Sequence, residues 1–337
     1  MKVAVLMGGR SAEREISLRT GRGIAQALRS LGHQVVAVDS ATGRLLPAGD
    51  EEQGAPSLAS LERVEPGALV SASSMREAEV VFIALHGGAG EDGTLQALLD
   101  LAGKPYTGSG VLASALAMNK AMSKRIFERE GIPTPRWRLV RDDDPPEAVE
   151  SGALGGYPLV VKPNEQGSTV GLTIVGRTED LAAALRTAAE HGPEILVEEY
   201  IPGRELTVAV MGREALPIVE IRPRDGFYDY ESKYTAGRSE YFCPADLPVE
   251  LARRIADLGL RAALGLGCSG VSRVDFRLSP ANEPFCLEVN TIPGMTPTSL
   301  VPMAAKARGM DYDQLVARML ELAVAGARRH PRAATGV

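Results

Sequence analysis

The chain has 337 residues, 45% of them apolar, and a formal net charge of −6 from 37 basic and 43 acidic side chains. That length implies two or three domains, and the composition is that of a globular protein. The acidic balance argues against a general polyanion-binding protein, so no nucleic-acid partner is expected, but it leaves room for a local basic pocket that holds a nucleotide.

The run from Val3 to Met7 is apolar and closed by Gly8-Gly9, so it reads as a buried parallel strand. It is too short for a signal peptide. Ile16, Thr20, Ile24, Ala27, Leu28 and Leu31 then recur at helical spacing up to the stop at Gly32. Further strands are predicted from Val35 to Val38 and from Val80 to Leu85, which makes an open α/β beginning. Residues 40–76 are rich in Gly, Pro, Ser and Glu and read as loop. A helix from Thr94 to Ala102 follows, then one long helix from Leu112 to Glu130.

Beyond Pro146 the pattern changes to short strands: Leu159 to Lys162, Ile195 to Tyr200, Leu206 to Met211 and Ala215 to Ile221. Helices from Val249 to Leu264 and from Tyr312 to Arg328 complete an α+β second half. The tail 331–337 is expected to fray. Cys243, Cys268 and Cys286 are scattered without a C-x-x-C pair, which suits reduced thiols. No apolar run reaches the ~18–20 residues needed to span a bilayer, so no membrane partner and a cytoplasmic location are expected.

Two segments carry chemistry. Lys162 ends an apolar strand and is followed by a small loop reaching Gly171, in which backbone N–H groups can approach phosphate oxygens. The Walker pattern is absent, and a plain hairpin turn remains the alternative. A dinucleotide site after the first strand is a weaker rival, because G-x-G-x-x-G is missing although the second strand ends in Asp39.

Later, Arg273 and Asp275 share one strand face, as do Glu288 and Asn290. Pairing these strands groups Asp275, Glu288 and Asn290 into an all-oxygen donor set suited to Mg²⁺. A solvated polar sheet face is the alternative.

Six segments together resemble the D-alanine–D-alanine ligases of the ATP-grasp superfamily: GGRSAEREISL from Gly8, LHGGAGEDGT from Leu85, YTGSG from Tyr106, VKPNEQGSTVG from Val161, FYDYESKY from Phe227 and EVNTIPGMTPTSL from Glu288. The resemblance implies an N-terminal α/β domain over 1–110, a central ATP-grasp lobe over 111–204 and a C-terminal lobe over 205–330. It implies ATP as a substrate, two Mg²⁺ ions with Mn²⁺ as a substitute, a homodimer, and D-alanyl-D-alanine formation for peptidoglycan synthesis.

By the same resemblance, Lys120, Lys162 and Lys233 would contact ATP phosphates, with Glu198 and Glu205 on the adenine and ribose side. Asp275, Glu288 and Asn290 would hold the metal ions. Glu15 would bind the ammonium of the first D-alanine beside His86, linked to Ser168 and Tyr234. Arg273 and the Gly294 N–H would stabilise the oxyanion, and Ser299 and Leu300 would hold the second D-alanine. The loop from Arg224 to Arg238 reads as a closing lid. The residue type at Tyr234 favours the dipeptide product over D-alanyl-D-lactate or D-alanyl-D-serine. Another ATP-grasp ligase and a non-catalytic nucleotide-binding module remain as rivals.

Overall fold

The computed structural model describes residues 1–11, 13–46, 73–223 and 239–329. Most of the loop expected over 40–76, the lid expected over 224–238 and the expected frayed tail lie outside the described residues.

The first sheet has the order β3-β2-β1-β4, built from β1 (Lys2–Met7), β2 (Gln34–Asp39), β3 (Leu45–Leu46) and β4 (Val80–Ile83). β1 pairs in parallel with β2 and β4, and β3 adds an antiparallel edge. Residues 3–7 are all buried, as expected for a strand covered on both faces. The helix Arg14–Ser30 lies on this sheet through Leu18, Ile24, Ala25 and Leu28. The C-terminal helix Tyr312–Arg329 returns to the same core with Leu315, Val316 and Met319.

The second sheet is antiparallel, with the order β5-β8-β6-β7, from β5 (Trp137–Arg141), β6 (Leu159–Pro163), β7 (Thr173–Val175) and β8 (Glu194–Glu199). The helix Thr178–Ala189 covers it through Leu181, Ala184 and Leu185.

The third sheet runs β12-β11-β9-β13-β14, with β10 beside β9. Its strands are β9 (Arg204–Met211), β10 (Glu214–Ala215), β11 (Val219–Pro223), β12 (Ser239–Phe242), β13 (Val271–Leu278) and β14 (Pro284–Asn290). The single strand expected from Ala215 to Ile221 is two strands. Pro217 falls between them, and a proline cannot donate to a ladder.

The long helix expected from Leu112 to Glu130 is also two, Val111–Met118 and Lys120–Arg129. Asn119 takes an extended backbone (φ −81, ψ 95), and its side chain accepts a hydrogen bond from the Met122 N–H at 3.0 Å. The Lys120 N–H bonds the Asn164 carbonyl at 3.2 Å, and the Ala121 N–H bonds Asn164 Oδ1 at 2.9 Å. The three leading N–H groups of the second helix are therefore satisfied, two of them from a loop of the second sheet. These contacts start the helix at Lys120 and place that side chain at the loop. Ala113, Ala117, Phe127 and Ile132 share a core with Val208, Val274 and Val289. Residues 111–132, expected with the central lobe, thus pack on the third sheet.

Arg14 and Asp39 form a buried ion pair, with Arg14 Nη2 at 2.6 Å from Asp39 Oδ2 and Nη1 at 2.9 Å from Oδ1. Asp39 Oδ1 also accepts from the Ala41 N–H at 3.0 Å. Asp39 is therefore committed to holding the Gly8 loop, which excludes the dinucleotide role. Gly8 has φ +79, and a Cβ there would lie 2.6 Å from Asp39 Oδ1. Burial alone raises the Asp39 carboxyl, but the Arg14 guanidinium outweighs it and holds the pKa below 3.8.

Replacing Asp39 with Ala is expected to cost about 3–5 kcal/mol, because it strands a buried guanidinium. Denaturant unfolding followed by circular dichroism measures this, and an unchanged midpoint would refute it. A depressed carboxyl pKa stabilises above the unfolded value, so the contribution is present above pH 3.8 and is lost as pH falls further.

Candidate active site

β13 and β14 pair antiparallel with Arg273 opposite Asn290 and Asp275 opposite Glu288. Val274, Phe276 and Val289 are buried on the other face, which sends the four polar side chains to one side. Asp275 is densely bonded. Arg273 Nε donates to its Oδ1 at 2.9 Å and Nη2 to Oδ2 at 2.8 Å. Thr207 Oγ1 reaches Oδ1 at 2.7 Å, and Asn290 Nδ2 reaches Oδ2 at 3.0 Å. Glu288 pairs with Lys120 at 3.4 Å.

Among the described residues no group of three or more His, Cys, Asp or Glu side chains is set for a metal ion. The donors here are two carboxylates and an amide on neighbouring strands. That set is all oxygen and borders a cavity lined by Asp275 and Glu288, so it fits a hard divalent cation that keeps several other oxygen ligands.

Facing this hairpin is a cluster of lysines. Lys120 and Lys162 are nearly buried, at 5% and 8% exposure. Burial pulls the Lys120 ammonium below its ordinary pKa, with Glu288 opposing. Lys120 Nζ also donates to the Gln166 carbonyl at 2.5 Å. Glu198 is 2% exposed and is held by two lysines, Lys162 at 3.0 Å and Lys124 at 3.0 Å. Burial alone would lift its carboxyl, but Lys124 and Lys162 more than offset this and hold it below the usual range. Both Glu198 oxygens therefore lie against ammonium groups, and the side chain lines the cavity as their counter-ion. Glu205 also lines the cavity, where it pairs with Arg277 at 3.4 Å.

The loop between β6 and β7 carries Ser168 and Thr169 in the left-handed region, at φ 53 and φ 66. Two successive non-glycine residues there cost of order 1–2 kcal/mol each. They curl the loop so that Ser168 Oγ donates to Glu13 Oε1, linking the second sheet to the segment that follows β1.

Glu13, not Glu15, is the acidic residue the structure brings to the site. Glu13 lines the cavity with Ser168 and His86, while Glu15 is exposed on the first helix. Helical spacing explains this. Glu13 is four residues before Ser17 and seven before Thr20, both buried, whereas Glu15 is four before Arg19 and seven before Arg22, both exposed. Gly87 (φ +72) allows the approach, since a Cβ there would lie 3.1 Å from Glu13 Oε2. His86 is buried, with Nε2 3.3 Å from Thr20 Oγ1 and Nδ1 3.8 Å from Glu91 Oε1.

On the far wall, Gly294, Ser299 and Leu300 line the same cavity. Ser299 precedes the helix Leu300–Ala307, but its hydroxyl turns back to Thr296, 3.0 Å from the N–H and 2.7 Å from Oγ1. It therefore does not cap the helix.

Two cavities result. One lies between the second and third sheets, bordered by Lys120, Lys162, Glu205, Asp275 and Glu288. The other lies against the first sheet and its helix, bordered by Glu13, His86, Asn290, Gly294 and Ser299. Gly167, Ser168, Arg273, Glu288 and Leu300 border both. Lys233 and Tyr234 lie outside the described residues. Sequence reasoning missed Glu13 and Lys124. The buried spacing of the first helix could have shown the former, and the spacing of Lys124 three residues before Phe127 puts it on its helix's inner face, a position its charge disguises.

The D-ala D-ala ligase N-terminus family model matches residues 2–109, and the D-ala D-ala ligase C-terminus model matches residues 126–321. A D-alanine--D-alanine ligase of Syntrophotalea carbinolica is 48% identical over 319 residues, 95% of each chain. One of Geobacter sulfurreducens is 46% identical, covering 95% of this chain and 93% of its own. The solved D-alanine--D-alanine ligase of Bacillus anthracis complexed with ATP superposes with a TM-score of 0.81 at 31% identity, covering 98% of this chain and 99% of that one.

Proposed function

This chain belongs to the D-alanine–D-alanine ligase family, and from that premise we propose how its two cavities divide the work of an ATP-dependent ligase. The enzyme forms a peptide bond between D-alanines, the family's step in peptidoglycan synthesis. ATP occupies the cavity between the second and third sheets, and the amino acids occupy the cavity beside the first domain. The observation that carries this reading is the wall the cavities share. Ser168, Arg273 and Glu288 border both, so the phosphate end of the nucleotide meets the substrate carboxylate there.

A carboxylate is a poor acyl donor, because its leaving group would be oxide. A carboxylate oxygen of the first D-alanine therefore attacks the γ-phosphorus, and ADP leaves. The amine of the second D-alanine then attacks the acyl carbon, and phosphate departs with that oxygen. Phosphoryl transfer demands positioning and charge neutralisation, and Lys120 and Lys162 supply fixed positive charge. Asp275, Glu288 and Asn290 would hold Mg²⁺, or Mn²⁺ in its place, two ions by family resemblance. When bound, the metal neutralises charge on the phosphate oxygens.

Glu13 binds the first ammonium, with His86 at the same wall. Gly294 and Arg273 serve the developing oxyanion, and the uncapped turn at Ser299 and Leu300 receives the second carboxylate. Glu205 takes the ribose side. Lys233 and Tyr234 keep the roles of loop closure and of the link to Ser168. A homodimer and a cytoplasmic setting belong to the same reading, on family membership.

The test is phosphate release from ATP with Mg²⁺ and D-alanine, L-alanine, or D-alanine plus D-lactate, with products identified by mass. Release with D-alanine alone, accompanied by the dipeptide, is expected. Release only when D-lactate is added would move the specificity to the depsipeptide.

A further inference from the structure

Lys124 lies inside the helix Lys120–Arg129 with no exposed surface (0%). A buried ammonium must be compensated, because an unpaired one costs several kcal/mol. Its Nζ lies 3.0 Å from Glu198 Oε1 and donates to Thr134 Oγ1 at 2.7 Å. The other oxygen of Glu198 accepts from Lys162 Nζ at 3.0 Å. Glu198 is thus shared between one lysine that borders the nucleotide cavity and one behind it.

Thr134 Oγ1 donates onward to the Cys286 carbonyl at 2.8 Å, on the strand that carries Glu288. The chain of contacts therefore joins β8 to β14, which belong to the two sheets on either side of the nucleotide cavity.

We propose that Lys124 is a positioning residue for phosphoryl transfer: its buried ammonium holds Glu198, and through Glu198 it aims Lys162 at the nucleotide phosphates. This rests on the reading of that cavity as the ATP site. The charge balance supports it. Lys120, Lys124 and Lys162 face Glu198 and Glu288, which leaves one surplus positive charge where a polyanion must bind. Without Lys124 the surplus is gone. Glu198 then has Lys162 as its remaining ion-pair partner and draws that ammonium inward, away from the phosphates.

The test compares Lys124→Met, Glu198→Gln and the double variant with the wild type. Steady-state kinetics give kcat and the KM for ATP and for D-alanine, calorimetry gives ATP affinity, and circular dichroism checks folding. Lys124→Met is expected to raise the KM for ATP about tenfold or more, the scale of a lost charged hydrogen bond, with the KM for D-alanine within about twofold.

The double variant is expected to be no worse than Lys124→Met alone, because removing the carboxylate removes the group that captures Lys162. A KM for ATP within about twofold of wild type in Lys124→Met, or a double variant whose loss is the product of the single losses, would overturn the proposal. If Lys124→Met fails to fold, the double variant is compared with Glu198→Gln: a KM for ATP within about twofold of it is expected, because Lys124 acts through Glu198, and a further loss beyond that would overturn the proposal. A wild-type protein that does not bind ATP would refute the nucleotide site itself. A wild type that binds ATP while Lys124→Met binds equally well refutes only the role of Lys124.

Discussion

Replacing Glu13 with Gln is expected to lower kcat/KM for D-alanine about 10²-fold or more, while Glu15→Gln stays within about twofold of wild type. Losing one partner of a buried, hydrogen-bonded charge pair costs about 2–5 kcal/mol, and each 1.4 kcal/mol is about tenfold. Glu13 borders the amino-acid cavity and accepts the Ser168 hydroxyl, so its carboxylate is both placed and oriented. Glu15 has neither property and faces away from the sheet. Gln keeps the size and the carbonyl acceptor, so the Ser168 contact survives and only the charge is lost. Steady-state rates at varied D-alanine decide it. The reverse pattern, with Glu15→Gln crippled and Glu13→Gln normal, would restore the assignment made from the motif alone.

Replacing Glu288 with Gln is expected to reduce turnover by about 10³-fold or more without unfolding the protein. A bound divalent ion at a transferring phosphoryl group is worth several kcal/mol, and Glu288 is one of two carboxylates in the donor set. It is also the partner of Lys120. The fold survives because β14 is held by backbone pairing to β13 and by buried Val289 and Cys286 on its other face. Turnover across a Mg²⁺ titration, with circular dichroism on the same samples, measures both halves. Full activity at ordinary Mg²⁺ would remove the metal site from this hairpin.

Elements governed by local pattern were legible in the sequence. Val3–Met7 is apolar because both faces of a parallel strand are covered, and the pairing of Arg273 with Asn290 and Asp275 with Glu288 follows period two, although the register shifts between Asp275 and Phe276 and leaves Leu287 out of step. Features that depend on distant partners were not. The break at Asn119 needs Asn164 to take two helix N–H groups, and the one local sign of it is Asn119 itself, a favoured cap residue. Glu198 has the motif position of a nucleotide ligand, and its pairing with two lysines from other elements has no local sign. Lys124 sits three residues before Phe127, but its charge disguises that position until Glu198 and Thr134 enclose it. Glu13 is a different case, because the spacing of Ser17 and Thr20 already marked the inner face of its helix.

The central claim is that the carboxylate of one D-alanine is activated by the γ-phosphoryl group at the wall between the two cavities. The direct measurement uses D-alanine labelled with ¹⁸O in both carboxylate oxygens, with mass analysis of the phosphate released as dipeptide forms. Activation through an acyl phosphate sends one labelled oxygen into each phosphate. Unlabelled phosphate would mean that ATP is hydrolysed by water, and label in AMP would mean that the carboxylate attacks a different phosphorus. Either result would contradict the account.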